Sequence, residues 1–64
     1  MNEALDLLAR VEIRRSAKPN RFDLALIDVN NRTEIVQKDL VQHKVRSEAH
    51  KLAVRNKCAV INLA

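Results

Sequence analysis

Apolar and polar positions alternate with a period of two over much of residues 11–38, a pattern typical of β-strands. The alternation in VEIRRSA puts Val11 and Ile13 on one face, and Glu12 and Arg14 on the other. Both faces are apolar in the middle of RFDLALIDV, which indicates a central strand covered on each side. The pattern predicts three strands, over residues 11–17, 22–29 and 32–38.

Two short polar segments separate these predicted strands. Pro19 in KPN fixes its own φ for a turn, and the pair Asn30-Asn31 tolerates the left-handed conformation of a tight hairpin. Because the chain contains no glycine, its turns depend on Asn, Asp and Pro. Residues 22–38 are therefore predicted to form a β-hairpin.

At the start of the chain the hydrophobic period lengthens to that of a helix. Asn2 is in position to cap NEALDLLAR, and Leu5, Leu8 and Ala9 share one face. These residues predict a short helix over residues 2–10.

A longer helix is predicted over residues 39–57. Asp39 with Gln42 three residues later is typical of a capping box at its start. Its apolar residues fall within one sector of about 80° and predict a buried stripe of Val41, Val45, Ala49 and Leu52.

The last apolar run, CAVINL, has two interpretations. The β-branched pair Val60-Ile61 favours a strand over residues 59–63. Alternatively, Ala59 and Leu63 lie in the same helical sector as the buried stripe, so the helix continues. The first interpretation gives one α+β domain, residues 1–64, in the order α-β-β-β-α-β. It has a three- to four-stranded antiparallel-type sheet with one long amphipathic helix packed on a face.

Composition narrows the class of protein. With 64 residues and Phe22 as the only aromatic residue, the core is thin, so a homodimer is a possible way to share apolar surface. Cys58 is the only cysteine, and no stretch has the roughly 20 apolar residues that span a bilayer. The N-terminus lacks the features of a signal peptide. We expect a cytoplasmic protein that does not engage a membrane.

Positive charge is concentrated in two segments. Five basic residues stand against one acid in residues 10–21, and six stand against two in residues 38–57, so each segment has a net charge of +4. The remaining residues have a net charge of −4. This separation indicates an anionic partner.

The sequence shows no catalytic or metal-binding motif. No nucleophile has a glycine-rich turn around it, and no phosphate-cradling loop can form without glycine. His43 and His50 are two helical turns apart, roughly 10 Å, which is too far for one metal ion. We therefore expect no enzyme activity, cofactor, metal or small-molecule substrate.

The basic residues suggest a nucleic-acid interface built from two elements. On the long helix, four residues form a stripe opposite the buried face, and the hairpin predicted from the first two strands, over residues 11–29, carries four more. Such cations bind phosphates with release of counterions; the alternative is a solvated face, with Glu48 paired to Lys44 or Lys51. The predicted nucleic-acid-binding residues are Arg46, His50, Lys57 and His43 on the helix, with Arg14, Arg15, Lys18 and Arg21 on the hairpin.

Three segments give the chain a resemblance to a known family. MNEALDLLA, KPNRF and KVRSEAHKLA, in this order, are similar to the double-stranded RNA-binding domain, although Ser47 and Glu48 interrupt the basic run. The resemblance implies that Arg46 and His50 bind phosphates and that Lys18 and Arg21 lie in a hairpin loop that touches the duplex.

Two functions remain as hypotheses. The first is a small basic module that binds nucleic acid or a nucleoprotein, with a duplex favoured because single strands stack on aromatic residues that this chain lacks. The second is a protein-interaction module. It would be a homodimer, or a phage-type inhibitor or adaptor that docks on an acidic protein surface, with TEIVQK or AVINLA pairing as an edge strand.

Overall fold

The computed structural model describes residues 7–64, which form a four-stranded sheet and one helix. The helix packs on one face of the sheet, and the strand order is β3-β2-β1-β4. The predicted α+β class is confirmed. In chain order the elements are β1 (Leu8–Arg15), β2 (Phe22–Asp28), β3 (Thr33–Leu40), α1 (Gln42–Asn56) and β4 (Ala59–Asn62).

The sheet is mixed, so the prediction of an antiparallel-type sheet is wrong for its last strand. β1 and β3 both pair with β2 in antiparallel fashion, whereas β4 runs parallel to β1, with Arg10 opposite Ala59 and Ile13 opposite Asn62. Helix α1 has 15 residues and a length of about 22 Å, which returns the chain to the end of the sheet where β3 begins. The next strand therefore runs in the direction of β3 and β1, as in other crossover connections.

The predicted N-terminal helix over residues 2–10 is wrong where the structure describes it. Leu8, Ala9 and Arg10 belong to β1, and Arg10 stands opposite Ile27 of β2. Pairing with β2 overrides the helical pattern of these residues, with a register shift between Leu8 and Arg10. Residues 2–6 of the predicted helix lie outside the described residues.

The predicted capping box at the start of the long helix is also wrong. Helix α1 begins at Gln42, and its N-cap residue, Val41, makes no side-chain hydrogen bond. Asp39 instead lies in an irregular part of β3, with φ 59°, and its N–H donates to the carboxylate of Asp23 at 3.1 Å. An Asp accepts this left-handed conformation more readily than most residues do, which suits a chain without glycine.

The helix ends before the last apolar run. Lys57 adopts a left-handed conformation, with φ 54°, and the N–H of Cys58 donates to the carbonyl of Ala53 at 3.0 Å. This geometry terminates α1. The following residues form β4, as the strand interpretation of CAVINL predicts, and do not continue the helix.

The core lies between the sheet and α1. Val11 and Leu24 are fully buried in the sheet, and Val45 and Ala49 of the helix are buried against it. Phe22 packs on the edge of this cluster and is half-buried. We call this side of the sheet the helix face.

The opposite side, which we call the outer face, carries the alternate residues of each strand. Glu12 stands between Ala25 on β2 and Ile61 on β4, and Ala25 stands opposite Ile35 on β3. Ile35 and Ile61 are each 39% exposed. Within residues 7–64 no helix covers the outer face.

Several chain segments lie close together at one end of the sheet. The loop between β1 and β2, the C-terminal ends of β3 and β4 and the start of α1 all lie at the same end of the sheet, as the strand directions require. We call this the hairpin end. It therefore brings parts of the two basic segments together.

Candidate nucleic-acid interface

A cavity of about 170 Å³ opens on the helix face at the hairpin end. Its apolar lining comes from Ile13, Phe22 and Val45, which belong to or border the core. Its basic lining comes from Arg15, at the end of β1, and Arg46, in the second turn of α1. The cavity thus joins one residue from each basic segment.

Arg15 and Arg46 are both exposed, and neither has a neutralising contact within the part of the chain that the structure describes. Among residues 7–64, neither guanidinium makes an ion pair or a hydrogen bond, and no Asp or Glu side chain lines the cavity. Both guanidinium groups therefore remain available to bind an anion at one place.

Arg14 has a different environment although it precedes Arg15 directly. Successive residues of a strand point to opposite sides, so Arg14 lies on the outer face. Its Nε donates to Glu12 at 2.8 Å, and the Nε of Arg10 donates to the other oxygen of the same carboxylate at 2.7 Å. The structure therefore does not bring Arg14 together with the cavity arginines.

The carboxylate of Glu12 neutralises part of this outer-face charge. The hydrogen bond from Arg10 has the largest effect on its pKa, and together with that from Arg14 it holds the pKa of Glu12 below its usual value of 4.5, against the opposing effect of burial. The residue is only 4% exposed, beneath the side chains of both arginines. We call Arg10, Glu12 and Arg14 the strand clamp.

The loop at the hairpin end carries two more predicted site residues. The ammonium of Lys18 lies 3.6 Å from the Asp39 carboxylate, and Arg21 donates from Nη1 to the Asp39 carbonyl at 3.2 Å. The hydroxyl of Ser16 donates to the same carboxylate. These contacts attach the loop to the end of β3, and Lys18 remains 70% exposed.

Asp39, which holds the loop at this end, stays ionised. The hydrogen bond from Ser16, and then the charge of Lys18, lower the pKa of Asp39 from its usual value. Its negative charge therefore offsets part of the positive charge of the loop at neutral pH.

The remaining predicted residues follow the exposed side of α1. His43, Arg46 and His50 are exposed, and Lys57 lies just past the end of the helix. From His43 to Lys57 this stripe extends about 21 Å along the helix axis. Lys57 therefore lies roughly 16 Å from Arg46 and far from the cavity.

The first turn of α1 adds a smaller electrostatic contribution. It contains no acidic residue, and the N-cap offers no side-chain acceptor. The first amide groups of a helix have no intrahelical partner and carry a partial positive charge. This charge has the same sign as that of Arg46.

Sequence reasoning missed two polar residues of the cavity. Gln42, the first residue of α1, and Asn62, the last of β4, both line it. The sequence pattern predicts a capping-box role for Gln42, and the position of Asn62 depends on the parallel pairing of β4 with β1. No local pattern carries that information. The strand clamp was also missed, although Arg-x-Glu-x-Arg in an alternating segment was a readable signal for it.

Three further features of residues 7–64 concern metal ligands, the cysteine thiol and membrane-spanning helices. No three His, Cys, Asp or Glu side chains there lie close enough together to hold a metal ion. Cys58 is half-buried, and burial raises the pKa of its thiol. No helix within residues 7–64 is long and apolar enough to cross a membrane.

Comparison with known proteins gives no significant match: none was found with a protein-family model, a curated protein or a solved structure.

Proposed function

We propose that this chain is a small, non-enzymatic module that binds nucleic acid through the phosphate backbone. The observation that carries the proposal is the placement of Arg15 and Arg46, one from each basic segment, at the same cavity with no acidic partner among residues 7–64. Arginine forms two parallel hydrogen bonds to phosphate oxygens and stays charged at any physiological pH.

Further basic groups extend this surface. Lys18 and Arg21 lie at the hairpin end, while His43 and His50 continue along α1 towards Lys57. Phosphate contacts of this kind position a protein on nucleic acid without reading its bases. The proposed binding is therefore electrostatic and tolerant of sequence.

A duplex is the favoured form of nucleic acid. Proteins that bind single strands without sequence preference stack the bases on aromatic side chains. Phe22 is the only aromatic residue of the chain, and it is half-buried against the core. The surface thus offers several exposed cations, while its one aromatic ring, Phe22, lies half-buried at the cavity.

Fluorescence anisotropy with labelled duplex RNA, duplex DNA and single strands tests the proposal. With about four phosphate contacts, duplex affinity should fall roughly a hundredfold between about 50 and 200 mM salt. Arg46→Glu removes one contact and adds a repulsive charge, so it should weaken duplex binding by a similar factor.

Arg32→Glu is the matched control for that substitution. Arg32 is exposed and lies in the turn between β2 and β3, at the end of the sheet opposite the cavity. Arg32→Glu changes the net charge by the same amount as Arg46→Glu. If the phosphate contacts lie only near the cavity and the helix stripe, duplex affinity should fall by less than about threefold in Arg32→Glu. Millimolar binding of every probe, or equal losses in both variants, would refute the proposal.

A second function is favoured by a different observation. β3 and β4 are the two edge strands of the sheet, and Ile35, Val36, Val60 and Ile61 are between 36% and 39% exposed. Exposed apolar edges are typical of surfaces that add a strand from a partner. The chain would then be a homodimer or an adaptor for an acidic protein surface.

The two functions respond to different substitutions. Ile61→Lys places a charge on the β4 edge and should abolish a dimer seen by native mass spectrometry, but it leaves the cavity arginines in place. If this variant loses an assembly while Arg46→Glu has no effect on any binding, the protein-interaction function is the better account.

A further inference from the structure

The cavity has features that an extended phosphate-binding surface does not need. Ile13 and Val45 are at most 4% exposed and form an apolar floor, while Arg15 and Arg46 approach from the sheet and from the helix. Exposed cations on a flat face would bind a continuous backbone equally well. The concave shape therefore points to a more specific ligand group.

Charge indicates which group this is. Two guanidinium groups line one cavity, and among residues 7–64 neither forms an ion pair with an acidic side chain or with Ala64, the last residue of the sequence, which also lines the cavity. An internal phosphodiester carries one negative charge, whereas a phosphate monoester carries about 1.5 to 2 at pH 7. A monoester therefore matches the charge of the arginine pair more closely.

The polar residues add neutral hydrogen-bond donors. The Oδ1 atom of Asn62 already accepts the N–H of Ala64 at 3.0 Å, which leaves its amide NH₂ group to donate. Gln42 lines the same cavity and can also donate from its side-chain amide. Oxygen atoms of a phosphate are acceptors for both groups.

Shape restricts the ligand further. The cavity, with a volume of about 170 Å³, has room for a phosphate group. An internal phosphate would need room for a sugar on each side as the backbone enters and leaves. The end of a strand needs room on one side only.

We propose that the cavity binds the terminal phosphate monoester of a nucleic acid strand, so that the module prefers phosphorylated ends to internal backbone. This inference rests on the proposed nucleic-acid function and assigns its cavity. The helix stripe would then bind the backbone that leads away from the end.

The test uses short blunt duplexes of one sequence with 5′-phosphate, 3′-phosphate or hydroxyl ends, compared by anisotropy at about 100 mM salt. The full chain should bind one phosphorylated duplex about tenfold more tightly than the hydroxyl duplex. Arg15→Ala and Arg46→Ala should each reduce this ratio to nearly one. Arg46→Lys, which keeps the charge but loses the planar fork, should leave an intermediate ratio.

Arg32→Ala is the control, and it should preserve the full ratio because Arg32 lies at the other end of the sheet. Equal, salt-dependent binding of all three duplexes would overturn the terminal-phosphate site and leave the proposed function in place. So would a preference that survives both Arg15→Ala and Arg46→Ala.

If no duplex binds, a titration with inorganic phosphate separates the two ideas. Shifts of the backbone amide signals of Arg15, Gln42 and Arg46 at millimolar phosphate would support the phosphate site while overturning the nucleic-acid function. Absence of those shifts would overturn both.

Discussion

The two faces of the sheet differ in whether an acidic side chain neutralises their arginines. On the outer face, Arg10 and Arg14 both donate to Glu12, so this strand clamp has a net charge of only +1. On the helix face, Arg15 and Arg46 line a cavity to which the described residues contribute no acidic side chain. Arg14 and Arg15 are neighbours in sequence, yet one is held in an ion pair and the other is free to bind.

This difference shows that basic residues that are adjacent in the sequence need not lie on the same surface of the folded protein. The alternation of a strand assigns adjacent cations to opposite sides, and the acid placed two residues away decides which of them are neutralised. Net charge alone cannot make this distinction. The contrast between the faces also extends to packing, since α1 covers one face and no described helix covers the other.

The largest expected effect tests the packing contrast. Leu24 is fully buried on the helix face, so Leu24→Ala should lower the free energy of unfolding by about 3 kcal/mol. Ile35 on the outer face is 39% exposed, and Ile35→Ala should lower it by about 1 kcal/mol or less. Urea unfolding measures both. Similar losses would mean that a partner, such as a second copy of the chain, covers the outer face.

A smaller effect concerns the strand clamp. Glu12→Gln removes charge-assisted hydrogen bonds of about 1.5–3 kcal/mol, but solvent screens the two arginines, so a loss of about 1 kcal/mol in unfolding free energy is expected at pH 7. Binding to duplexes should change by less than about twofold, since the clamp lies on the face opposite the cavity.

The difference in unfolding free energy between the unsubstituted protein and the Glu12→Gln variant should depend on pH in a definite direction. Because the folded state lowers the pKa of Glu12 below 4.5, the ionised carboxylate stabilises the fold above that pH, and its contribution is lost as the pH falls through the folded pKa. Gln does not titrate, so urea unfolding of the two proteins should converge in acid. A constant difference between pH 7 and about pH 3 would show that the clamp is not electrostatic.

How far the sequence predicted these features depends on the range of the interactions. The three strands from VEIRRSA to RTEIVQK and the stripe of Val45 and Ala49 follow from local periodicity. The contact of Asp39 with Ser16 joins residues 23 apart, so the local pattern gave a capping box instead. Likewise, no local signal places Asn62 beside Arg15 and Arg46.

The smallest expected effect tests the role of Asp39 at the hairpin end. Asp39→Asn removes the partner of Lys18 and raises the local net charge by one, so duplex affinity should rise by about twofold at low salt. Asn accepts the left-handed backbone at this position at least as well as Asp does. Anisotropy measures the change, and a weaker complex would mean that the loop must be held by Asp39 to bind.

The contrast between the two faces is tested most directly by comparing Arg14→Ala with Arg15→Ala in duplex-binding anisotropy over a series of salt concentrations. Arg15→Ala should weaken binding about tenfold and reduce the slope of log affinity against log salt concentration by about one, the value for one lost phosphate contact. Arg14→Ala should leave the affinity and the slope nearly unchanged. Equal losses in the two variants would contradict the account, because they would show that the faces do not differ in the cations they present to nucleic acid.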